Sequence, residues 1–263
     1  MTSSLPPESA GTSESIVGDG GKRHQRGLTP WFFAALALAV ILSGTLAYEA
    51  VRNRQAKQNL QSIRVTGIPA SVSTSLANLM ALSPVPKSLA PNFTLVDQRG
   101  KSMSLKSFQG RPVVLEFMDP HCVDICPIVS QEFVDAYHDL GSNAKNVVFI
   151  AVNVNQYFTS VADMAKFSNL HGLNKIPSWH FFTGSVKDLK SVWHSYHLVV
   201  EAPKPTSDII HTSIVFFIGP NGDERYIGVP MDDHTRKGAS YLPLSQLNSW
   251  GNGIALVAQS LIH

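Results

Sequence analysis

Cys122 and Cys126 are the two cysteines of a 263-residue chain, and they lie in Asp119-Pro120-His121-Cys122-Val123-Asp124-Ile125-Cys126-Pro127. Their spacing is one residue longer than the Cys-x-x-Cys of dithiol exchange motifs. Residues i and i+4 share one face of a helical turn, so both sulfurs can approach a single point. Two thiolates converging there can close a disulfide or hold a soft metal ion. One histidine brought in from elsewhere in the chain would complete a trigonal metal site. A purely structural disulfide is the weaker reading, because closing so small a loop constrains the unfolded chain little.

The rest of the chain must position that pair. A hydrophobic content of 44% against 15% charged residues is enough for a substantial core. The net charge is only +2, and no basic stripe with interleaved aromatics occurs, so nucleic acid is not an expected partner. Residues 1–30 are rich in Ser, Gly, Glu and Pro and are expected to form a disordered tail. Residues 31–48, from Trp31 to Tyr48, carry no charge and have aromatic residues at both ends, the pattern of a transmembrane anchor. A cleaved signal peptide is the rival, with Thr45-Leu46-Ala47 as a small-x-small site. The segment before Pro30 is far longer than a usual n-region, which favours an uncleaved anchor. Residues 49–88 start charged and helical and end at Ser83-Pro84-Val85-Pro86, and read as a stalk. Lys22, Arg23 and Arg26 before the span are balanced by Arg52, Arg54, Lys57 and Arg64 after it, so charge gives no orientation. A short tail ahead of the span and an easily oxidised cysteine pair lead us to expect the remainder on the extracytoplasmic face.

The folded domain is expected over 89–263. Phe93 to Val96 and Ser102 to Leu105 read as short strands around the turn Gln98-Arg99-Gly100-Lys101. Val113 to Met118 reads as a largely buried central strand pointing at the cysteine segment. Val129, Phe133, Tyr137 and Leu140 recur at helical spacing, and Val147 to Val152 is a further strand. Ser160 caps a predicted helix through Val161, Met164, Phe167 and Leu170. Trp179 to Phe182 is a strand, and Ser185 caps the next helix. Ser213 to Ile218 and Glu224 to Val229 flank a hairpin turn at Gly219-Pro220-Asn221-Gly222-Asp223, and 243–261 is helical in pattern with Gly251-Asn252-Gly253 interrupting. That order describes an α/β, thioredoxin-like three-layer sandwich behind an N-terminal transmembrane helix. The cysteines fall where the first central strand meets its helix, the position at which open α/β sheets carry their sites. A helix N-terminus also favours the thiolate.

With these residues laid out, the chain resembles the Sco/SenC family of membrane-tethered, thioredoxin-fold proteins that act in copper delivery to cytochrome c oxidase. The resemblance covers about 89–263. It rests on Ala90-Pro91-Asn92-Phe93-Thr94-Leu95, on Cys122-Val123-Asp124-Ile125-Cys126-Pro127 beside the family's Cys-Pro-Asp-x-Cys-Pro, on Trp179 to Gly184, and on His211-Thr212 before the strand and the Gly-Pro-x-Gly turn. The opening segment is shared with peroxiredoxins, whereas the cysteine motif with His211-Thr212 is specific. The chain departs from the family pattern at Val123, where a proline is usual, and at Asn153-Val154-Asn155-Gln156, where many relatives carry an acidic segment.

The resemblance implies that Cys122, Cys126 and His211 bind copper, as Cu(I) and also as Cu(II). The implied role is a metallochaperone for the copper-bearing subunit of cytochrome c oxidase or for another copper chaperone. Without the resemblance His211, one of ten histidines, is an ordinary hydrogen-bonded residue. His121 is its rival, but a neighbour of Cys122 on a helix faces another way and would tune the thiol instead. His194 and His197 are read as structural, and Met103, Met118 and Met164 as core. Asp119 and Asp124 are explained as well by a solvated helix start as by a partner site. The alternative function is a membrane-anchored thiol:disulfide oxidoreductase in which Cys122 attacks and Cys126 resolves, without metal. A peroxidase is weaker, because the Pro-x-x-x-Thr/Ser-x-x-Cys segment of peroxiredoxins is missing.

Overall fold

In this computed structural model, residues 43–45, 47–52 and 66–262 are described. The chain forms two compact units, residues 1–57 and 58–263. In the first, the described residues 43–45 and 47–52 are helical. The expected tail at 1–30 and most of the expected anchor at 31–48 lie outside the described residues. Among those described, no helix is long and apolar enough to cross a membrane.

The second unit starts earlier than the sequence suggests. Helix α1 (Thr74–Leu79) is capped by the Ser73 hydroxyl, which accepts the Leu76 amide at 3.2 Å. Strand β1 (Ser83–Leu89) follows. Val72, Met80 and Leu82 around them are buried in the main core. Residues 72–88, expected in the stalk, are therefore part of the domain. Their Pro-rich composition suits an edge strand, the place in a sheet where missing amide donors are tolerated. A hairpin of β2 (Thr94–Val96) and β3 (Ser102–Ser104) comes next, then the central β4 (Val113–Met118) and helix α2 (Ile125–Asp139).

β5 (Val148–Asn153), α3 (Val161–Leu170), β6 (Trp179–Phe182) and α4 (Val186–Ser195) complete the alternating part. Ser160 and Ser185 cap α3 and α4 as their positions predict, each hydroxyl accepting an amide three residues on at 3.1 Å. Two short strands, β7 (Val200–Glu201) and β8 (Ile210–His211), pair with each other ahead of β9 (Val215–Ile218) and β10 (Asp223–Gly228). The small ladder of β11 (Asp233–His234) and β12 (Ser240–Tyr241) precedes α5 (Leu244–Gln259).

The main sheet has the order β1-β10-β9-β4-β5-β6. β4, β5 and β6 run parallel, and β9, β10 and β1 extend the sheet antiparallel. β4 and β5 are buried along their whole length because both faces are covered, which explains their nearly unbroken apolar runs. Val114 and Met118 of β4 face a core shared with α1, α2, α3 and α5. Val113, Leu115 and Phe117 face a second core shared with α4 and the β2–β3 hairpin. The three layers of the expected α/β sandwich are thus present.

Helix α5 is continuous through Gly251 and Gly253, where the sequence suggested an interruption. The glycines serve packing. A Cβ on Gly251 would stand 2.5 Å from the Asp135 Cβ and 3.3 Å from the backbone of α2, and one on Gly253 would stand 2.2 Å from the Met80 sulfur.

Candidate functional site

β4 ends at the point where the cysteine segment begins. Asp119, the next residue, is buried, and its Oδ1 accepts the His121 amide and the Asn155 Nδ2, each at 2.8 Å. The Cys122 amide donates to the Asp119 carbonyl at 3.1 Å, closing a turn. Helix α2 starts only at Ile125, and its N-cap, Asp124, makes no side-chain cap hydrogen bond. Cys122 therefore lies in the loop ahead of the helix and not on it, and the two sulfurs are not brought together by helical periodicity. The Cys122 Sγ instead accepts the Cys126 amide at 3.4 Å, taking the place of a capping oxygen at the helix start. Both cysteines are free thiols, Cys126 buried and Cys122 half-buried.

This arrangement separates the two thiols chemically. The Cys126 thiol donates to Cys122, and that bond, with the amides of Cys126 and Asp124, pulls the Cys122 pKa down to about 7 against burial and the Asp119 charge. The same thiol–thiol bond, together with burial, pushes Cys126 well above its ordinary value. Cys122 is the thiolate near neutral pH, and Cys126 holds its proton until something takes it.

His211 sits on β8, opposite Val200, in a hairpin that the Thr212 amide also ties to the Val199 carbonyl at 3.2 Å. Its Nδ1 lies 3.0 Å from the Thr212 carbonyl oxygen. A carbonyl can only accept, so Nδ1 carries the proton and Nε2 keeps its lone pair. Burial lowers the His211 pKa, with Thr212 and Asp119 acting in the opposite direction. The ring is thus neutral at pH 7, the form that ligates metals.

Among the described residues no three His, Cys, Asp or Glu side chains form a group that could hold a metal ion as they stand. The structure brings Cys122 and Cys126 together, and it leaves His211 on the neighbouring hairpin. The charge of Asp119, the residue that follows β4, raises the pKa of Cys122, Cys126 and His211 alike. Two sulfurs and a neutral imidazole are a donor set for a soft ion. His121, the rival histidine, stacks on Phe158 with ring centroids 3.7 Å apart, and its Nε2 lies 3.6 Å from Asp163 at the start of α3. It is engaged with α3. Met118 and Met164 are fully buried core residues.

The segment Asn153-Val154-Asn155-Gln156 is a hub. Asn153 Nδ2 donates to the Phe158 carbonyl at 2.9 Å, and its Oδ1 accepts the Asn155 amide at 2.7 Å. Asn155 then holds Asp119, while Gln156 Nε2 and the Tyr157 hydroxyl donate to the Ala202 carbonyl at 3.0 and 2.7 Å. One short loop therefore fixes the cysteine turn on one side and the histidine hairpin on the other. Sequence reasoning noted this segment only as a change of charge. It also passed over Glu116 and Glu132, two buried carboxyls beneath the site. A lone acid inside the apolar run of β4 was the available signal for Glu116.

The SCO1/SenC family model matches residues 83–236. The SCO1 protein homolog of Bacillus subtilis (strain 168) is 28% identical over 148 residues, covering 54% of this chain and 76% of that protein. The mitochondrial SCO2 homolog of Homo sapiens is 28% identical over 140 residues, covering 50% of each, so the chain spans about half the length of that relative. Bradyrhizobium japonicum ScoI, solved with copper bound, matches with a TM-score of 0.51 at 21% identity over 66% of this chain and 99% of that one. At that identity the likeness establishes a shared fold.

Proposed function

The chain belongs to the SCO1/SenC family, and on that premise we propose that it carries copper, taken up by Cys122, Cys126 and His211 and passed to a partner. The observation that carries the reading is the half-assembled donor set. A thiolate and a thiol are already in hydrogen-bond contact, and a neutral imidazole with a free Nε2 stands on the adjoining hairpin. Binding takes the proton from Cys126, so uptake releases protons and strengthens as pH rises. Three protein ligands leave a side of the ion open for transfer. The copper-bound structure of the Bradyrhizobium relative supports copper as the cargo. The acceptor we propose is the copper-bearing subunit of a cytochrome c oxidase or a further copper chaperone. In this reading residues 31–48 anchor the chain and hold the domain on the extracytoplasmic face.

The reduced full-length chain, loaded without oxygen, should bind one Cu(I). Cys122→Ser and Cys126→Ser should each abolish tight binding, and His211→Ala should weaken it while leaving disulfide formation intact. Wild-type affinity in either cysteine variant would overturn the site. Unchanged binding in His211→Ala, with loss in His121→Ala, would move the third ligand to His121.

A second reading, thiol:disulfide exchange without metal, is favoured by one observation. The lowered Cys122 and raised Cys126 are the pattern of an attacking and a resolving thiol. His211→Ala separates the two, because exchange with a partner disulfide needs no imidazole at that position.

A further inference from the structure

We propose that Glu116 is a positioning residue for His211, holding the histidine-bearing segment against the strand that leads to the cysteines. The inference rests on the copper reading above. β4 and β9 pair as Val113 with Ile218, Val114 with Phe217 and Leu115 with Phe216, and there the ladder stops. The next residue along β4 is Glu116. Beyond that point the backbone of β9 no longer holds the chain running back to His211, and a side chain takes over. The Glu116 Oε1 accepts the Ser213 hydroxyl at 3.1 Å, and the Ile214 amide is directed at the same carboxyl. Ser213 lies two residues beyond His211. One buried carboxyl on the strand that leads to the cysteines therefore anchors the segment that presents the imidazole.

The position is an odd one for an acid. Glu116 shares a strand face with Val114 and Met118, and it is only 1% exposed. An apolar residue would fill that space without the cost of burying a carboxyl. Its Oε2 and both oxygens of the neighbouring Glu132 have no hydrogen-bond partner among the described residues, so burying the pair costs stability. What Glu116 does satisfy is the Ser213–Ile214 corner.

The test uses the full-length chain with Glu116→Leu and Glu116→Gln. Three readouts apply: Cu(I) affinity, the thiolate-to-copper charge-transfer band of the Cu(II) form, and the imidazole 15N resonances of His211 in copper-free protein. Glu116→Leu should weaken Cu(I) binding about tenfold or more, the usual range for loss of a group that orients a ligand. It should also move the band and shift the His211 resonances, while its thermal midpoint stays at or above wild type. Glu116→Gln retains an acceptor for Ser213 and should stay near wild type in all three. A folded Glu116→Leu with wild-type affinity and wild-type His211 resonances overturns the proposal. Should that variant not fold, Ser213→Ala carries the same expectations. If the wild-type chain takes up no copper, the copper reading fails, and the His211 resonances still decide whether Glu116 positions the ring.

Discussion

At Cys122 a sulfur stands where a helix usually has an oxygen cap, and the chemistry of the pair follows from that. The Cys126 thiol is the largest contributor to the lowered Cys122 pKa, followed in the same direction by backbone amides at the start of α2. Alkylation of the reduced protein by iodoacetamide should therefore be carried by Cys122 with a midpoint near pH 7, Cys126 reacting far more slowly. In Cys126→Ala the donated hydrogen bond is gone, and the Cys122 midpoint should rise. A midpoint that stays in place would mean that the helix amides alone hold the thiolate. His211 is neutral for a separate reason: burial disfavours its charge.

One connecting element does as much for the site as the strands. The loop 153–158 fastens Asp119 through Asn155 and the β7–β8 hairpin through Gln156 and Tyr157, so the cysteine turn and the His211 hairpin share one support. On the far side of α2, helix α5 packs at its glycines. Gly251→Ala tests that contact. In an open helix the change would stabilise by about 1 kcal/mol. Here the new methyl meets the Asp135 Cβ and the backbone of α2, which cannot swing aside as a long side chain can. We expect a net loss of about 1–3 kcal/mol in chemical denaturation. A stabilised Gly251→Ala would show that α5 can move off α2 at little cost, and that the glycines do not set the helix spacing.

Across the molecule the buried acids couple folding to pH. Burial pushes the Glu116 pKa from 4.5 up to about 8, and Glu132 is raised in the same direction by burial and by Glu116. Each binds its proton more tightly in the folded than in the unfolded chain. Stability is therefore lost as pH rises between 4.5 and 8, by up to about 5 kcal/mol for Glu116 once it is fully ionised. Cys122 works in the opposite sense between 7 and 9, where its lowered pKa favours the folded form as pH rises. The difference in unfolding free energy between wild type and Glu116→Gln isolates the carboxyl: it should narrow from alkaline toward acidic pH. A difference that is flat from pH 5 to 9 would show that Glu116 ionises normally in its buried place.

Local pattern was enough for much of this protein. Serine caps before α3 and α4, the apolar run of β4 and the Gly-Pro turn between β9 and β10 depend on neighbours in the chain, and they are legible there. The cysteine spacing is a local signature of the same kind, whereas His211 stood out from the other histidines only through the family resemblance. Tertiary contacts decided the rest. The proline-rich 83–89 became an edge strand because β10 offered it a free edge, and Gly251 stayed helical because α2 comes so close. The joining of Asp119, Asn155 and Ala202 spans dozens of residues, and so does that of Glu116 with Ser213. No local periodicity encodes such pairs, since they arise only when the sheet aligns its strand ends. That is why the cysteine and His211 segments could be singled out from the sequence, while the groups that hold them in place appeared only in the fold.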